Sequence, residues 1–226
     1  MRWRLRHAAI AAAAAVLLLS TTGPAGGQNE AACPPTPAQT EGPFYPVHQQ
    51  DDKDNDLTML KGHPKRATGP IIYIIGQVRD LQCRPVVGAQ VEIWQAAASG
   101  RYHHPDDGNT SAAHDPDFQH WGVTISDQEG RYQFKTVKPS PYPAGLFWTR
   151  PSHIHFKVHR KGVPTLTTQM YFAGDLYLET DRIFSRIPEA ARPRVVVQLE
   201  PPTGGMEPDA RGIEPGAMLC RFDITF

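Results

Sequence analysis

Residues 150–159 read Arg-Pro-Ser-His-Ile-His-Phe-Lys-Val-His, and polar and apolar side chains alternate from His153 onward. In an extended strand, successive side chains point to opposite faces. His153 and His155 therefore share one face, while Ile154 and Phe156 face the core. The stretch predicts a half-buried strand that presents two imidazoles side by side.

The remaining sequence contains further short runs of this kind, separated by Gly, Pro and Asp, and no strong crossover helix. The chain has 19 Gly and 22 Pro among 226 residues, a content that disfavours long helices. Turn-punctuated runs predict an all-β fold, an antiparallel β-sandwich or barrel with long irregular loops. The runs interpreted as strands are residues 71–78, 89–95, 122–126, 131–136, 154–159, 167–172, 195–199 and 221–226.

Two long irregular insertions, residues 96–121 and 138–151, interrupt these strands. Irregular segments of this length are uncommon in a compact domain unless they have a function. Residues 28–69 are polar, contain prolines and show no sustained periodicity, so we expect an arm that wraps the core. The strand-bearing residues 70–226 are expected to form the β-sandwich domain.

The first residues have the composition of a secretory signal. Residues 1–7 carry three Arg and no acid, residues 8–19 are an unbroken apolar run, and residues 20–27 are small and rich in helix breakers. The apolar run is shorter than the roughly 18–20 residues of a membrane span. We expect residues 1–27 to be a signal peptide, the protein to be exported to the periplasm or the medium, and no membrane attachment after cleavage.

The net charge argues against a nucleic-acid partner. The full chain carries 23 Lys+Arg and 23 Asp+Glu, and removal of the three Arg of the signal leaves 20 basic against 23 acidic residues, or about −3. A mildly acidic chain without a basic patch lacks the electrostatic footprint of nucleic-acid binding. The sequence does not specify an oligomeric state, and a homo-oligomer is one arrangement that it allows.

Two tyrosines accompany the paired histidines. Tyr142 stands among three prolines in residues 139–143, where the backbone is held stiff, and Tyr102 opens the first insertion. Taken singly, a packing or surface tyrosine and a surface histidine pair are at least as common. Together, two phenolates and two imidazoles suit Fe(III), because phenolate is a hard anionic oxygen ligand and imidazole binds iron among several metals.

A second metal site competes with this one. His153 and His155 with one carboxylate, from Asp175 or Asp127, would form a ferrous two-histidine, one-carboxylate site. The sequence around each aspartate is that of an ordinary turn and does not mark it as a metal ligand. A zinc hydrolase is a further alternative, although zinc more usually recruits Cys or carboxylate ligands.

Seven motifs follow one another over most of the chain after the signal. They are Thr-Glu-Gly-Pro-Phe-Tyr at 40–45, Trp-Gln-Ala at 94–96 with Gly-Arg-Tyr at 100–102, Asp-Pro-Asp-Phe at 115–118, Thr-Val-Lys-Pro-Ser-Pro-Tyr-Pro at 136–143, residues 150–156, Gln-Met-Tyr-Phe-Ala-Gly-Asp at 169–175 and Arg-Phe-Asp-Ile at 221–224. This ordered set resembles the intradiol ring-cleavage dioxygenases, above all the β-type subunit of protocatechuate 3,4-dioxygenase.

The resemblance implies a β-sandwich enzyme that binds Fe(III) through two tyrosinates and two histidines. It makes Tyr142 the axial tyrosinate that leaves the iron when the catechol binds as a chelating dianion. Arg150 and Gln169 match residues that steer and stabilise the activated substrate. The implied metal ligands are Tyr102, Tyr142, His153 and His155.

The implied reaction is cleavage of a catechol-type aromatic by O2 between its two hydroxyl-bearing carbons, giving a cis,cis-muconate-type diacid. A protocatechuate-like compound or catechol would be the substrate. Ala144 departs from the family, since the β-type subunit has tryptophan after Pro-Tyr-Pro. The β-type subunit also works beside an α-type chain that helps to bind the substrate carboxylate, and this sequence contains no such chain. Specificity for protocatechuate is therefore not carried over. The alternative from another class is a secreted, non-catalytic β-sandwich binding module of the same fold.

The three cysteines are Cys33, Cys83 and Cys220, so at most one internal pair forms. Export permits a disulfide. Cys33 and Cys83 both precede family-like segments, and a bridge between them would tie the arm to the sandwich edge, so we expect this pair. Cys83 with Cys220 is the alternative.

Overall fold

The fold is built almost entirely from β-strands. The computed structural model describes residues 32–202 and 212–226, so the predicted signal peptide, residues 1–27, lies outside the described residues. Two 3-10 helices, Phe184–Arg186 and Glu189–Arg194, accompany the strands, and no described helix is long and apolar enough to cross a membrane. The strands are β1 (Ile71–Arg79), β2 (Gln90–Trp94), β3 (Trp121–Ile125), β4 (Arg131–Val137), β5 (Tyr142–Gly145), β6 (Trp148–Arg150), β7 (His153–Arg160), β8 (Val163–Phe172), β9 (Val196–Val197), β10 (Met218–Arg221) and β11 (Ile224–Thr225).

Two sheets form the predicted all-β sandwich. In the first, β1 pairs antiparallel with β4 and parallel with β10 and β11. The second has the order β3-β2-β7-β8-β9 and is antiparallel except for the parallel pair β8–β9. The parallel pairs all involve strands near the end of the chain. Long connections lead to these strands, so they are not forced into the antiparallel direction that a short hairpin turn imposes.

The core lies between these sheets and fixes the register of β7. Ile74 and Phe134 from the first sheet and Ile93, Ile154 and Phe156 from the second belong to one buried cluster. Each such side chain contributes about 1.5–3 kcal/mol on burial. A one-residue slip of β7 would exchange its two faces, so the apolar alternation fixes which face carries the histidines.

The last predicted strand, residues 221–226, is interrupted in the structure. Of these residues, Arg221 ends β10 and Ile224–Thr225 form β11. Between the two strands, the Asp223 carboxylate accepts a hydrogen bond from the Gln77 backbone N–H at 2.9 Å, in place of a ladder carbonyl. The segment 195–199 likewise contains only the short strand β9.

The second insertion is more regular than the sequence predicts. Within residues 138–151, β5 and β6 form a two-stranded hairpin in which Tyr142 lies opposite Arg150. Pro143 cannot donate to a ladder and disfavours a strand in sequence terms. Each strand of a two-stranded hairpin has one unpaired edge, so a residue without an N–H can be placed there without the loss of a ladder hydrogen bond.

The arm runs along the sandwich without a helix or extended strand of its own between residues 32 and 69. Its backbone bonds to sheet edges, as in Thr36 N–H to Thr225 O at 2.9 Å. The predicted disulfide Cys33–Cys83 is confirmed. Cys220 is free and buried, so the alternative pair Cys83–Cys220 is wrong. The boundaries at residues 27 and 69 stay predictions.

Candidate metal centre

The structure brings the four predicted ligands together at one buried point. The Tyr102 hydroxyl lies 3.4 Å from His153 Nε2. The rings of His153 and His155 are 4.9 Å apart, those of Tyr102 and Tyr142 are 5.4 Å apart, and those of Tyr142 and His153 are 5.7 Å apart. All four side chains are buried. Two phenols and two imidazoles thus surround one small volume.

The histidines lie on the face of β7 that points away from the core. Trp94 on β2 and Gln169 on β8 lie directly opposite His155, and Tyr171 on β8 lies opposite His153. Side chains directly opposite each other share a face. Accordingly, the Trp94 ring stacks on His155 with a centroid distance of 4.8 Å and an interplanar angle of 13°. The strand register therefore assembles the floor of the site.

The two tyrosines come from the two insertions, which approach closely at Gly100. This residue has φ +82°, and a Cβ there would lie 2.8 Å from the Pro141 carbonyl oxygen. The contact brings the loop before Tyr102 against the start of the Tyr142 hairpin. The buried Asp107 accepts a hydrogen bond from the Tyr102 backbone N–H at 2.6 Å. A side chain at position 100 would push the tyrosines apart.

The hydrogen bonds of His153 and His155 leave each ring with a nitrogen that could bind a metal ion. His153 Nδ1 lies 2.7 Å from the Pro151 carbonyl oxygen. Since a carbonyl only accepts, Nδ1 carries the proton and Nε2 keeps its lone pair, as in most metal-binding histidines. His155 Nδ1 is buried without a hydrogen-bond partner, a costly state for a polar atom. An orphaned nitrogen of this kind is expected where a metal completes the site.

Burial and one cation set the protonation of the donors. Burial lowers the pKa of His153 and His155 well below 6.5, and the Arg150 charge lowers both further. Burial raises the pKa of Tyr102 and Tyr142, while Arg150 opposes the rise at both. The imidazoles are therefore neutral, in the form that binds metals. The phenols need additional positive charge to ionise, which a multivalent cation provides.

Arg150 is held beside the site by a buried network. Its Nε donates to Asp181 Oδ1 at 3.0 Å, and its Nη2 donates to Gln169 Oε1 at 2.6 Å. Asp181 also accepts hydrogen bonds from Trp148 Nε1 at 3.1 Å and from the Phe184 backbone N–H at 3.0 Å. Sequence reasoning identified Arg150 and Gln169 but missed Asp181. This aspartate lies outside every motif, in a connection without periodicity.

The arm closes the site from the other side. Gln169 Nε2 donates to the Thr40 carbonyl oxygen at 2.8 Å, and the Tyr171 hydroxyl donates to Gln39 Oε1 at 2.7 Å. The Phe44 ring packs on Tyr102 with a centroid distance of 4.7 Å. The motif at 40–45 thus contacts the predicted ligand Tyr102 directly, and the apolar Phe44 ring covers it.

The carboxylates of the competing ferrous site are engaged elsewhere. Asp127 accepts from Arg131 Nε at 2.8 Å, and Asp175 accepts from the Ser152 backbone N–H at 2.9 Å. Across the described ranges 32–202 and 212–226, no Asp or Glu joins His153 and His155 in a group whose ligand atoms all lie within 4.8 Å of one another. The two-histidine, one-carboxylate arrangement is not formed.

Comparison with known proteins places this geometry in context. The model of a family described as "Dioxygenase" matches residues 40–214. The protocatechuate 3,4-dioxygenase beta chain of Burkholderia cepacia is 40% identical over 187 residues, covering 81% of this chain and 78% of that protein. The catechol 1,2-dioxygenase of Candida albicans is 32% identical over 70% of this chain, which spans about half of its length (52%).

Solved structures agree with the fold. Hydroxyquinol 1,2-dioxygenase from Pseudomonas putida DLL-E4 aligns with a TM-score of 0.65 at 24% identity, over 88% of this chain and 68% of that one. Catechol 1,2-dioxygenase from Acinetobacter sp. ADP1 aligns with a TM-score of 0.61 at 27% identity, over 84% and 62% of the two chains. The sandwich described above is therefore shared with these proteins.

Proposed function

We propose that this chain, which belongs to the intradiol ring-cleavage dioxygenase family and is an enzyme of that class, is an exported, non-haem Fe(III) enzyme. Its substrate would be a catechol-type diol, protocatechuate-like or catechol, which it cleaves with O2 between the hydroxyl-bearing carbons to a cis,cis-muconate-type diacid. The observation that carries the proposal is the convergence of Tyr102, Tyr142, His153 and His155 in one buried volume.

The donor set fits the iron used by this family. Two phenolates would neutralise most of a 3+ charge, and two neutral imidazoles complete a nitrogen and oxygen set suited to Fe(III). The His153 contact to the Pro151 carbonyl and the orphaned His155 nitrogen support the same conclusion. When bound, the ion would act as a Lewis acid that favours the ionised phenols and the ionised diol.

Tyr142 is proposed to handle a substrate proton. Its hydroxyl faces Arg150, whose charge lowers the pKa of this phenol against the effect of burial. As a phenolate, Tyr142 Oη would accept one hydroxyl proton from the entering diol. Tyr102 lies deeper, with a pKa raised further by burial and by Tyr142. Tyr102 would therefore keep its position throughout.

Arg150 and Gln169 are proposed to orient the diol anion. Arg150 is 3% exposed, and its guanidinium is fixed by Asp181 and Gln169. A preorganised cation in a site of low dielectric stabilises negative charge without reorganising. Phe44 and Trp94 would supply the apolar walls that keep water away from the activated ring.

Export remains part of the proposal. It is supported by the charged and apolar order of residues 1–27. The Cys33–Cys83 disulfide adds support, because stable disulfides are typical of oxidising compartments outside the cytosol. Fractionation of the native host, with detection of a chain that lacks residues 1–27 outside the cytoplasm, tests this part.

Oxygen uptake tests the activity. The iron-loaded enzyme should consume O2 with at least one diol from a panel of catechol, protocatechuate, hydroxyquinol and substituted catechols, and the product should be a muconate-type diacid. Tyr142→Phe should abolish most of the rate because no phenolate then accepts the substrate proton. Tyr177→Phe, at an exposed tyrosine, is the matched control and should retain the rate. A semialdehyde product, or no uptake with any diol, would contradict the proposal.

A further inference from the structure

Three histidines outside the metal centre form a second cluster in the first insertion. The rings of His103 and His114 are 4.7 Å apart, those of His103 and His120 are 5.4 Å apart, and those of His114 and His120 are 5.5 Å apart. One nitrogen from each ring can be chosen so that all three lie within 4.8 Å of one another. None of these residues has a role in the ring-cleavage site.

His120 is the anchor of the cluster. Its side chain is 6% exposed, and both ring nitrogens are buried without a hydrogen-bond partner. The backbone of Gln95 and of Asp115 lies beside the ring and acts to raise its pKa, but neither ring nitrogen has a hydrogen-bond partner. Buried polar atoms are almost always satisfied. A doubly unsatisfied imidazole that points at two other imidazoles indicates a missing partner.

The buried His120 ring is in the protonation state that binds metals. Burial, followed by His103 and His114, lowers the pKa of His120 to about 3. This ring is therefore neutral near pH 7, so it keeps one nitrogen lone pair for a ligand.

There is room for an ion beside the cluster. A cavity of about 20 Å³ is lined by two of the three histidines, His103 and His120, and also by His48, Gln50, Tyr102 and Trp121 among others, while His114 lies outside its lining. A volume of this size holds a single water molecule or ion. The exposed His48 ring stacks near His103 at 5.6 Å, so a fourth ligand position can be taken by this histidine or by water.

We propose that His103, His114 and His120 form a second metal site, separate from the tyrosine and histidine centre, for a divalent late first-row transition ion, with Zn²⁺ as the representative. Three imidazoles without a carboxylate or thiolate suit Zn²⁺, Cu²⁺ or Ni²⁺. Two nitrogens on one tetrahedral zinc are about 3.3 Å apart. Since His103 and His114 are exposed, their side chains can rotate to close the gap from 4.8 Å.

Such an ion would join the two ends of the first insertion. His103 directly follows Tyr102, and His120 directly precedes β3. Binding at the cluster would stabilise the folded insertion by mass action, because the unfolded chain lacks the preformed site. The site would therefore raise the melting temperature and support the position of Tyr102 without contacting substrate.

Zinc titration of the iron-loaded enzyme tests the site. Isothermal titration calorimetry with ZnCl2 should show saturable binding of one Zn²⁺ per chain. A thermal scan should show an increase in Tm, and the visible spectrum should show no loss of the absorption of the tyrosinate–iron centre. His114→Ala removes an exposed ligand and should weaken zinc binding by about 100-fold or more, since even loss of an outer partner of a metal ligand costs about 10- to 100-fold. His159→Ala, at an exposed histidine at the end of β7, should bind zinc like the wild type.

Three results would overturn the proposal. One is the absence of saturable zinc binding to the wild type. The second is binding of unchanged affinity in His114→Ala. The third is binding that occurs only with loss of the visible absorption, because zinc would then be replacing iron at the first centre.

Discussion

At the scale of single residues, the ion pair of Arg150 and Asp181 sets the charge next to the proposed metal centre. The arginine was predicted from its motif, but its buried partner was not. Asp181 reaches Trp148 and Arg150 only because the chain folds back onto β6. The paired histidines were predictable, since alternation in β7 fixes their common face. Tertiary contacts decide which carboxylate pairs with which cation, and no local sequence pattern predicts those contacts.

Breaking this pair should be costly. Arg150→Met or Asp181→Leu leaves one buried charge unpaired, and each should lower the free energy of unfolding by about 3–5 kcal/mol. The double variant should cost clearly less than the sum of the two, because no isolated charge remains. Urea denaturation of the iron-loaded proteins measures this.

The exposed pair of Arg84 and Asp80 is the matched control. Its ions lie 2.8 Å apart at the surface, and removal of Arg84 should cost far less stability than removal of Arg150, because solvent screens an exposed pair. Strictly additive costs in the Arg150 and Asp181 cycle would mean that the two groups are not coupled and that Arg150 is held by other contacts.

At the scale of elements, the site depends on how the two insertions meet above β7. The sequence predicts a strand that presents both histidines on one face, and its motifs single out both tyrosines. It does not predict the β5–β6 hairpin, because three prolines in residues 139–143 disfavour a ladder and only the opposing strand makes one possible. The contact between the insertions at Gly100 is equally hidden, since a glycine in a loop is unremarkable until its neighbour is known.

Substitution of Gly100 should therefore damage the metal centre. Gly100→Ala forces a Cβ to within 2.8 Å of the Pro141 carbonyl oxygen and separates the tyrosines. Gly88→Ala is the control, because Gly88 has a similar φ of +72° but no atom within 4 Å of the added Cβ. Both variants should lose about 1–2 kcal/mol from left-handed strain, while only Gly100→Ala should lose most of its iron. Equal iron content per chain in the two purified variants would contradict this role.

At the scale of the whole molecule, the arm, the sandwich and the disulfide form one connected structure. The all-β sandwich was predictable because period-two alternation and turn residues are local signals. The parallel return of β10 and β11 was not, because chain direction over a long connection leaves no local signal. The arm was predicted to wrap the core, and its contacts to Gln169 and Tyr171 make it part of the site.

Thiol accessibility tests this connected structure. The native protein should show no thiol reactive with Ellman's reagent, because Cys33–Cys83 is oxidised and Cys220 is buried, with its pKa raised to about 12 by burial. Denaturation without reductant should expose one thiol per chain. Reduction should lower the free energy of unfolding by about 4 kcal/mol, the loop-entropy value for a sequence separation of 50 residues. Three reactive thiols in the denatured, unreduced chain would show that the bridge does not form.

The visible absorption spectrum of the purified, metal-quantified protein tests the central claim most directly, because tyrosinate bound to Fe(III) gives a red-brown charge-transfer band. We predict this band at one iron per chain, with a large loss of intensity in Tyr102→Phe and in Tyr142→Phe and none in Tyr177→Phe. A colourless protein with full zinc occupancy at this centre, or an iron protein whose band is unchanged in both ligand variants, would contradict the assignment of Tyr102, Tyr142, His153 and His155 as the iron site.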